Sequence, residues 1–156
     1  MVDLIMSKSN SFNLGKLMDT IFITSSITFN ISVSIVYIAT KIGNMELLQV
    51  TGFIVILLII PFAITLIGYL KEKEEKKIIL SIAIILFYLF LELLLDYILL
   101  IPFRDILGLH IPYIIIFYAA EFSIIGVTFD KNKKMGIVVL ITFGILIGCL
   151  IYMYLG

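Results

Sequence analysis

The 156-residue chain is 62% hydrophobic, and its 11 basic and 11 acidic residues give a formal net charge of zero. A soluble domain is usually only about 45–50% apolar, and a domain of this size could not bury so much apolar surface. The composition therefore predicts an all-α, polytopic integral membrane protein of the cell membrane, with the lipid bilayer as its partner. The charge balance leaves no basic face for a nucleic acid.

Five segments are suited to cross a bilayer, whose hydrocarbon core takes roughly 20 helical residues. The first, residues 20–40, has no charge but holds seven Ser, Thr or Asn side chains between Thr24 and Ser34. These side chains can bond back to the preceding turn of their own helix, so insertion remains feasible. The other four segments are more apolar and lie at about residues 47–70, 78–101, 111–129 and 135–155. We expect one five-helix membrane domain, residues 18–156, after an interfacial or disordered segment, residues 1–17.

The distribution of lysines in the loops predicts the orientation of the bundle. With five spans, Lys41 and Arg104 lie on one side and nine lysines on the other: Lys8, Lys16, Lys71, Lys73, Lys76, Lys77, Lys131, Lys133 and Lys134. Positively charged loops stay in the cytoplasm, so the N-terminus is predicted to be cytoplasmic and the C-terminus outside. The same bias argues against an antiparallel dual-topology dimer, and any homo-oligomer is expected to be parallel.

Acidic residues interrupt two of the apolar segments. Glu92 and Asp96 fall on one face of the third segment, and Glu121 lies in the fourth. Counted from the boundaries expected near Pro102 and Pro112, the two glutamates lie roughly 15 Å and 14 Å deep at 1.5 Å per residue. We therefore expect one internal polar cluster near the midplane, which Asn30 of the first segment can reach: Tyr88, Glu92, Asp96, Tyr118 and Glu121.

Such a cluster strongly restricts the charge that it can carry. One charged acid at the bilayer centre costs about 2.5–3.5 kcal/mol on insertion scales. Neighbouring acids cannot all ionise in a dry medium, so we expect them to be mostly protonated or neutralised by a bound cation. Arg104 can fold back onto Asp96 or Asp105, or it can extend to the outer interface. The sequence favours the second arrangement.

Proline and glycine residues predict details of helix packing. Pro61 removes the donor for the carbonyl of Leu57 and should kink the second span. Gly144 and Gly148 form a GxxxG motif in the fifth span, and small residues in the fourth span predict close packing of these two helices.

The sequence lacks the catalytic residues of several enzyme classes. Cys149 is the only cysteine and His110 the only histidine, so neither a disulfide within the chain nor a zinc hydrolase site is expected. His110 is predicted to be a surface residue, which leaves no Ser-His-Asp set within the membrane. No nucleotide-binding glycine motif appears. The sequence favours a protein that is not an enzyme and needs no cofactor, and it leaves metal binding open.

Three functions remain after these exclusions. The favoured one is a proton- or cation-coupled transporter or permeation pathway for a small cation or solute. The proton- or cation-binding residues would be Glu92, Asp96 and Glu121, supported by Tyr88, Tyr118, Asn30 and Arg104. The alternatives are a non-catalytic subunit or assembly partner of a larger membrane complex, and a membrane enzyme that processes lipid phosphates with carboxylate-bound Mg²⁺.

Overall fold

The protein is all-helical over the part of the chain that the computed structural model describes, residues 2–155, with side chains described from residue 14 onward. Six α-helices follow one another: α1 Val2–Ile42, α2 Met45–Leu57, α3 Ile59–Lys71, α4 Lys76–Glu92, α5 Leu107–Lys131 and α6 Lys133–Tyr154. A π-helix, Leu93–Ile98, continues α4, and a 3₁₀ turn, Phe103–Asp105, precedes α5. The predicted all-α fold class is confirmed.

Five helical segments in this described part are long and apolar enough to cross a membrane: Leu14–Ile42, Met45–Lys71, Lys76–Ile98, Leu107–Lys131 and Lys133–Tyr154. The predicted number of segments long and apolar enough to span a membrane is confirmed. The third segment ends three residues earlier than predicted and the fourth begins four residues earlier, because Pro112 lies inside α5 instead of before it. The predicted segment of residues 1–17 lies largely outside the residues whose side chains are described, and it stays a prediction.

The second span consists of two helices because its hydrogen-bond ladder is interrupted near Pro61. The Leu58 amide bonds to the Val55 carbonyl at 3.2 Å, three residues back, as in a 3₁₀ turn. Pro61 has no N–H for the carbonyl of Leu57, so α2 ends at Leu57 and α3 continues from Ile59. This interruption lies within one turn of Pro61, where the sequence predicts a kink, and the kink itself stays a prediction.

The most polar helix, α1, packs against α2, α3, α5 and α6, and α4 packs against α3 and α5. Buried serines of α1 bond to their own helix: Ser25, Ser26 and Ser34 each donate to the carbonyl four residues earlier at 2.7–2.8 Å. Their hydroxyls are thus satisfied without a partner helix, and α1 can be central despite its composition.

Close approach between helices depends on other glycines than those predicted. Helices α5 and α6 pack against each other as predicted. Gly144 and Gly148 have no heavy atom within 4 Å of where a Cβ would stand, so this contact does not depend on the GxxxG motif. By contrast, a Cβ on Gly68 of α3 would overlap the Met18 side chain of α1, and one on Gly136 of α6 would overlap the Phe129 ring of α5. These two glycines let their helices pack against large side chains.

Candidate functional site

One end of the bundle carries a polar network that we call the arginine network: Tyr88, Glu92, Asp96, Arg104 and Tyr113. The guanidinium of Arg104 donates two hydrogen bonds to the Asp96 carboxylate, each of 2.8 Å, and a third to Glu92 at 3.3 Å. The paired contact with Asp96 matches the planar fork of arginine to the two carboxylate oxygens. One guanidinium therefore neutralises charge on both acids.

Two tyrosine hydroxyls complete the surroundings of Glu92. Tyr113 donates a hydrogen bond to the Glu92 carboxylate, and the Tyr88 oxygen lies 3.4 Å from the same carboxylate. The two hydroxyls also share a hydrogen bond of 2.9 Å. The sequence analysis did not select Tyr113, and only its spacing of eight residues from Glu121, about two helical turns, could have singled it out.

The backbone after Asp96 turns back on itself and carries Arg104 to this position. The π-helix closes with the Leu99 amide donating to the Leu94 carbonyl at 2.8 Å, and Leu100 then adopts a left-handed conformation with φ of 51°. A bulky residue with positive φ is strained by about 1–3 kcal/mol. The completely buried Phe103 side chain fixes the following turn, and the Arg104 guanidinium lies 4.4 Å from the centre of its ring.

The position of Arg104 corrects the arrangement that the sequence favoured. The side chain is 51% exposed, but it folds back onto Asp96 and Glu92 instead of extending away from them. Burial lowers the pKa of Arg104, but the hydrogen bonds to Asp96 and the negative charge of Glu92 raise it, and the net pKa lies above its usual value. Arg104 therefore stays a cation at every physiological pH.

A second polar site, the glutamate layer, lies deeper in the bundle and consists of Asn30, Glu121 and Thr142. Glu121 and Asn30 are 0% exposed. With the Asn30 amide oriented so that both of its ends meet a suitable partner, Nδ2 donates to the two Glu121 oxygens at 3.0 and 3.2 Å. The amide oxygen then accepts from the Thr142 hydroxyl at 2.9 Å. Asn30 thus reaches a buried acid as predicted.

The structure divides the predicted acid cluster between two levels. Tyr113, which binds Glu92, precedes Glu121 by eight residues on α5, or roughly 12 Å along the helix axis at 1.5 Å per residue. The prediction that Glu92 and Glu121 lie at the same depth measured both depths from helix ends near Pro102 and Pro112, and the helices do not end there. Glu92 lies six residues before the end of the π-helix, whereas Glu121 lies 14 residues into α5.

Aromatic rings fill the space between these two levels. The buried Tyr88 ring packs edge-on against Phe29 of α1 and Phe117 of α5, with ring centres 5.9 and 5.4 Å apart. Tyr118 packs on Phe117, with ring centres 5.4 Å apart, and lies close enough to Tyr37 of α1 to interact with it electrostatically. Tyr37 of α1 lies close enough to both glutamates to interact electrostatically with each of them.

A third polar group, the lysine network, lies at the opposite end of the bundle and was missed by the sequence analysis: Asp19, Tyr69, Glu74 and Lys131. Lys131 forms ion pairs with Glu74 and, at 3.8 Å, with Asp19. The buried Tyr69 donates to Asp19 at 2.6 Å, and the Lys131 ammonium lies 4.5 Å from the centre of the Tyr69 ring. In the sequence, Lys131 was only one of the nine lysines that predict the orientation, so nothing singled it out.

Helix α5 contributes a residue to all three polar groups. Tyr113 belongs to the arginine network, Glu121 to the glutamate layer and Lys131 to the lysine network. Lys131 follows Glu121 by ten residues, or roughly 15 Å at the helical rise. Glu121 therefore lies about midway between the two networks, and the salt bridges of the described residues give it no basic partner.

Metal ligation finds no support in the described residues, which contain no group of three or more His, Cys, Asp or Glu side chains able to hold an ion. His110 lies in the first turn of α5 near Tyr113, with ring centres 6.5 Å apart. Its Nδ1 atom is buried and has no hydrogen-bond partner among the described residues.

Comparisons of the chain with protein-family models, with curated proteins and with solved structures find no match. The chemistry and geometry of the three polar groups are therefore the basis for assigning a function.

Proposed function

We propose that the chain is a multi-pass protein of the cell membrane, with its N-terminus in the cytoplasm and its C-terminus outside. Five apolar helical segments support insertion, because a helix satisfies its own backbone groups in lipid. The nine lysines that precede or connect the segments at one end support the orientation. In this orientation the lysine network faces the cytoplasm and the arginine network faces outside.

We further propose that the protein is a proton- or cation-coupled transporter or permeation pathway for a small cation or solute. The observation that carries this proposal is the isolation of Glu121, a completely buried carboxyl group that faces an amide and a hydroxyl instead of a basic side chain. Ionised and unpaired, such a group is costly in an apolar medium. Glu121 would therefore acquire a proton or a cation, and the exchange of that charge would drive transport.

The neighbours of Glu121 can form hydrogen bonds with it in both its ionised and its protonated state. The Asn30 amide carries both donors and an acceptor, so it can donate to an ionised Glu121 or, after rotating, accept from a protonated one. Asn30 would thus hold the carboxyl group in one position through the cycle. Thr142 would support whichever orientation the amide adopts.

The remaining predicted site residues would act on the outer side of Glu121. Glu92 and Asp96 would receive a cation or proton from outside, and Arg104 would neutralise them in its absence. Tyr88 would connect the arginine network with the aromatic layer above Glu121. Tyr118 would act at greater distance, through its packing against Phe117.

The two alternative functions lack a comparable observation. A partner subunit would supply a basic residue for the acids, but Glu92 and Asp96 already have one in Arg104. A lipid-phosphate enzyme would need Arg104 for the phosphate, and the same ion pairs engage it. The proposed transporter includes any parallel homo-oligomer of the chain and does not depend on the number of subunits.

Substitution of the buried carboxyl group tests transport directly. Liposomes that contain the purified protein and a trapped indicator for H⁺, Na⁺ or K⁺ are given a gradient of the matching ion, and the decay of the gradient is followed. The wild-type protein should dissipate at least one of these gradients, and Glu121→Gln should slow the decay by about tenfold or more, because an amide cannot exchange a proton.

The matched control is Glu46→Gln, the same substitution at an exposed position in the first turn of α2. It should leave the decay rate unchanged. Equal rates for wild-type liposomes and protein-free liposomes with all three ions would refute the proposal.

A further inference from the structure

We infer that the arginine network is the outer gate and the lysine network the inner gate of a pathway through Glu121, and that the structure is the occluded state. This inference rests on the proposed function and adds to it how access to Glu121 is controlled. Both networks connect chain segments that would have to separate to admit water or an ion. Each lies within roughly 12–15 Å of Glu121 along α5, on opposite sides.

The outer gate joins three separate stretches of the chain. Glu92 and Asp96 end the third span, Arg104 belongs to the turn that follows it, and Tyr113 belongs to α5. The guanidinium occupies the position between the two carboxylates that an entering cation would need. As long as Arg104 is bound there, the acids are neutralised and no cation is attracted to them.

The geometry of this gate suits repeated opening. About half of the Arg104 side chain is already exposed, so it can move into water without crossing an apolar barrier. The left-handed Leu100 strains the connecting segment, so a rearrangement of this segment would release that strain. Beneath Arg104, the rings of Phe29, Tyr88 and Phe117 form a second barrier that seals Glu121.

The inner gate is built differently. The Lys131 side chain is only 10% exposed, because it lies over the Tyr69 ring and between Asp19 and Glu74. It therefore cannot leave by rotating into water, and opening needs the end of α5 to move away from α1. The buried rings of Phe22 and Phe62, whose centres are 5.7 Å apart, add an apolar barrier on the α1 and α3 side of this gate.

Helix α5 would make the two gates alternate. It is continuous from Leu107 to Lys131 and is held at one end by the arginine network and at the other by the lysine network. Pro112, near its first turns, removes one backbone hydrogen bond and provides a place to bend. A tilt that separates one end from its partners would press the other end more firmly against its own, as in other rigid-body closures.

Two buried serines of α1 allow each gate to be tested separately. Ser34 lies one turn from Asn30 toward the arginine network, and Ser26 lies one turn away toward the lysine network. Each is replaced singly by cysteine, a residue of similar size, in a Cys149→Ser background. The rate of labelling by a membrane-impermeant methanethiosulfonate reagent, added on one side only, then reports access to Glu121 from that side.

Removal of a gate should open one side alone. Arg104→Gln should accelerate labelling of Ser34→Cys from outside by about tenfold or more, and Lys131→Gln should accelerate labelling of Ser26→Cys from inside by a similar factor. Neither substitution should accelerate labelling from the opposite side. Asp96→Asn, which keeps Arg104 but removes its main partner, should reproduce the effect of Arg104→Gln.

Controls use cations that belong to neither network: Lys41→Gln, a partly buried residue at the outer end, and Lys133→Gln, an exposed residue at the inner end, should leave both rates unchanged. The inference is overturned if Arg104→Gln and Asp96→Asn both fold, as judged by gel filtration, and leave the outer rate within about twofold of the parent. Labelling needs no flux, so a failure of the gates is distinguishable from a failure of transport by the Glu121→Gln test.

Discussion

Arg104 and Glu121 are ionisable side chains with contrasting surroundings in one apolar bundle. Arg104 is half exposed and is matched by two carboxylates, so its charge is stabilised where it lies. Glu121 is fully buried and has only uncharged partners. A residue matched in this way keeps its charge, whereas one without a counter-charge is suited to change its protonation state.

Gly68 gives a prediction at the residue scale. A Cβ at this position would overlap the Met18 side chain, so Gly68→Ala should force α1 and α3 apart or displace Met18 from the core. Overpacking of this kind costs about 1–3 kcal/mol. We expect the Tm of the protein in detergent to fall by several degrees, as measured by the loss of folded protein on gel filtration after heating.

Gly144→Ala is the matched control, because the same methyl group at this position meets no atom within 4 Å. This variant should keep the wild-type Tm or raise it slightly, since alanine favours the helix. A Gly68→Ala protein as stable as Gly144→Ala would show that α1 and α3 do not pack as closely as described.

Individual site residues were predictable from the sequence to different degrees. Asn30 could be identified because it is the one amide in an otherwise aliphatic and hydroxyl-rich segment. The contacts of Arg104 could not, because they depend on Leu100 adopting a positive φ that its side chain does not favour. Lys131 was indistinguishable by sequence from neighbouring lysines, since only tertiary contacts bury it.

At the scale of secondary structure, the π-helix determines where the third span ends. Its wider turn ends at Leu99, and the left-handed Leu100 then reverses the chain toward α5. Insertions of this type recur at functional sites, where they reposition side chains that a regular α-helix would direct elsewhere. Asp96 lies within this segment, so its approach to Arg104 depends on the irregular turn.

The break at Leu58 gives a prediction for the second span. Pro61→Ala supplies an N–H that can bond to the Leu57 carbonyl, so α2 and α3 should become more continuous. One added hydrogen bond contributes about 1 kcal/mol, and amide exchange over residues 58–62 should slow by roughly fivefold. Hydrogen–deuterium exchange with mass spectrometry on the protein in detergent measures this rate.

Pro102→Ala is the control for this experiment, because Pro102 lies outside the α-helices and should not alter exchange near Leu58. An unchanged rate in Pro61→Ala would mean that the break is imposed by packing and not by the missing donor.

Most helices could be located from the sequence, but their ends were less predictable. Long apolar runs bounded by charges indicated the five spans to within a few residues at most ends. The exceptions are the two ends around Pro102 and Pro112, which were read as boundaries although α5 includes Pro112. A proline near the first turns of a helix is tolerated, so it does not by itself mark where a helix begins.

The orientation of the whole molecule gives a further prediction. The nine lysines at one end should hold that end in the cytoplasm. Alkaline phosphatase, which is active only outside the cytoplasm in bacteria, should be active when fused after residue 155 and inactive when inserted within residues 72–75. Enzyme activity, normalised to the amount of each fusion on immunoblots, measures the topology.

Green fluorescent protein at the same two positions serves as the complementary control, because it folds in the cytoplasm and should fluoresce only within residues 72–75. Active phosphatase at both positions, or the reversed pattern, would contradict the proposed topology and exchange the assignment of the two gates.

The participation of α5 in all three polar groups has a consequence for inhibitors. Tyr113 and Lys131 are 18 residues apart on α5, or more than 25 Å at roughly 1.5 Å per residue. A compound bound beside Tyr113 would immobilise the whole helix, and it would therefore change the reactivity of Lys131 without contacting it. Blockers that bind at opposite faces of the membrane would then compete with each other, although their binding sites share no atom.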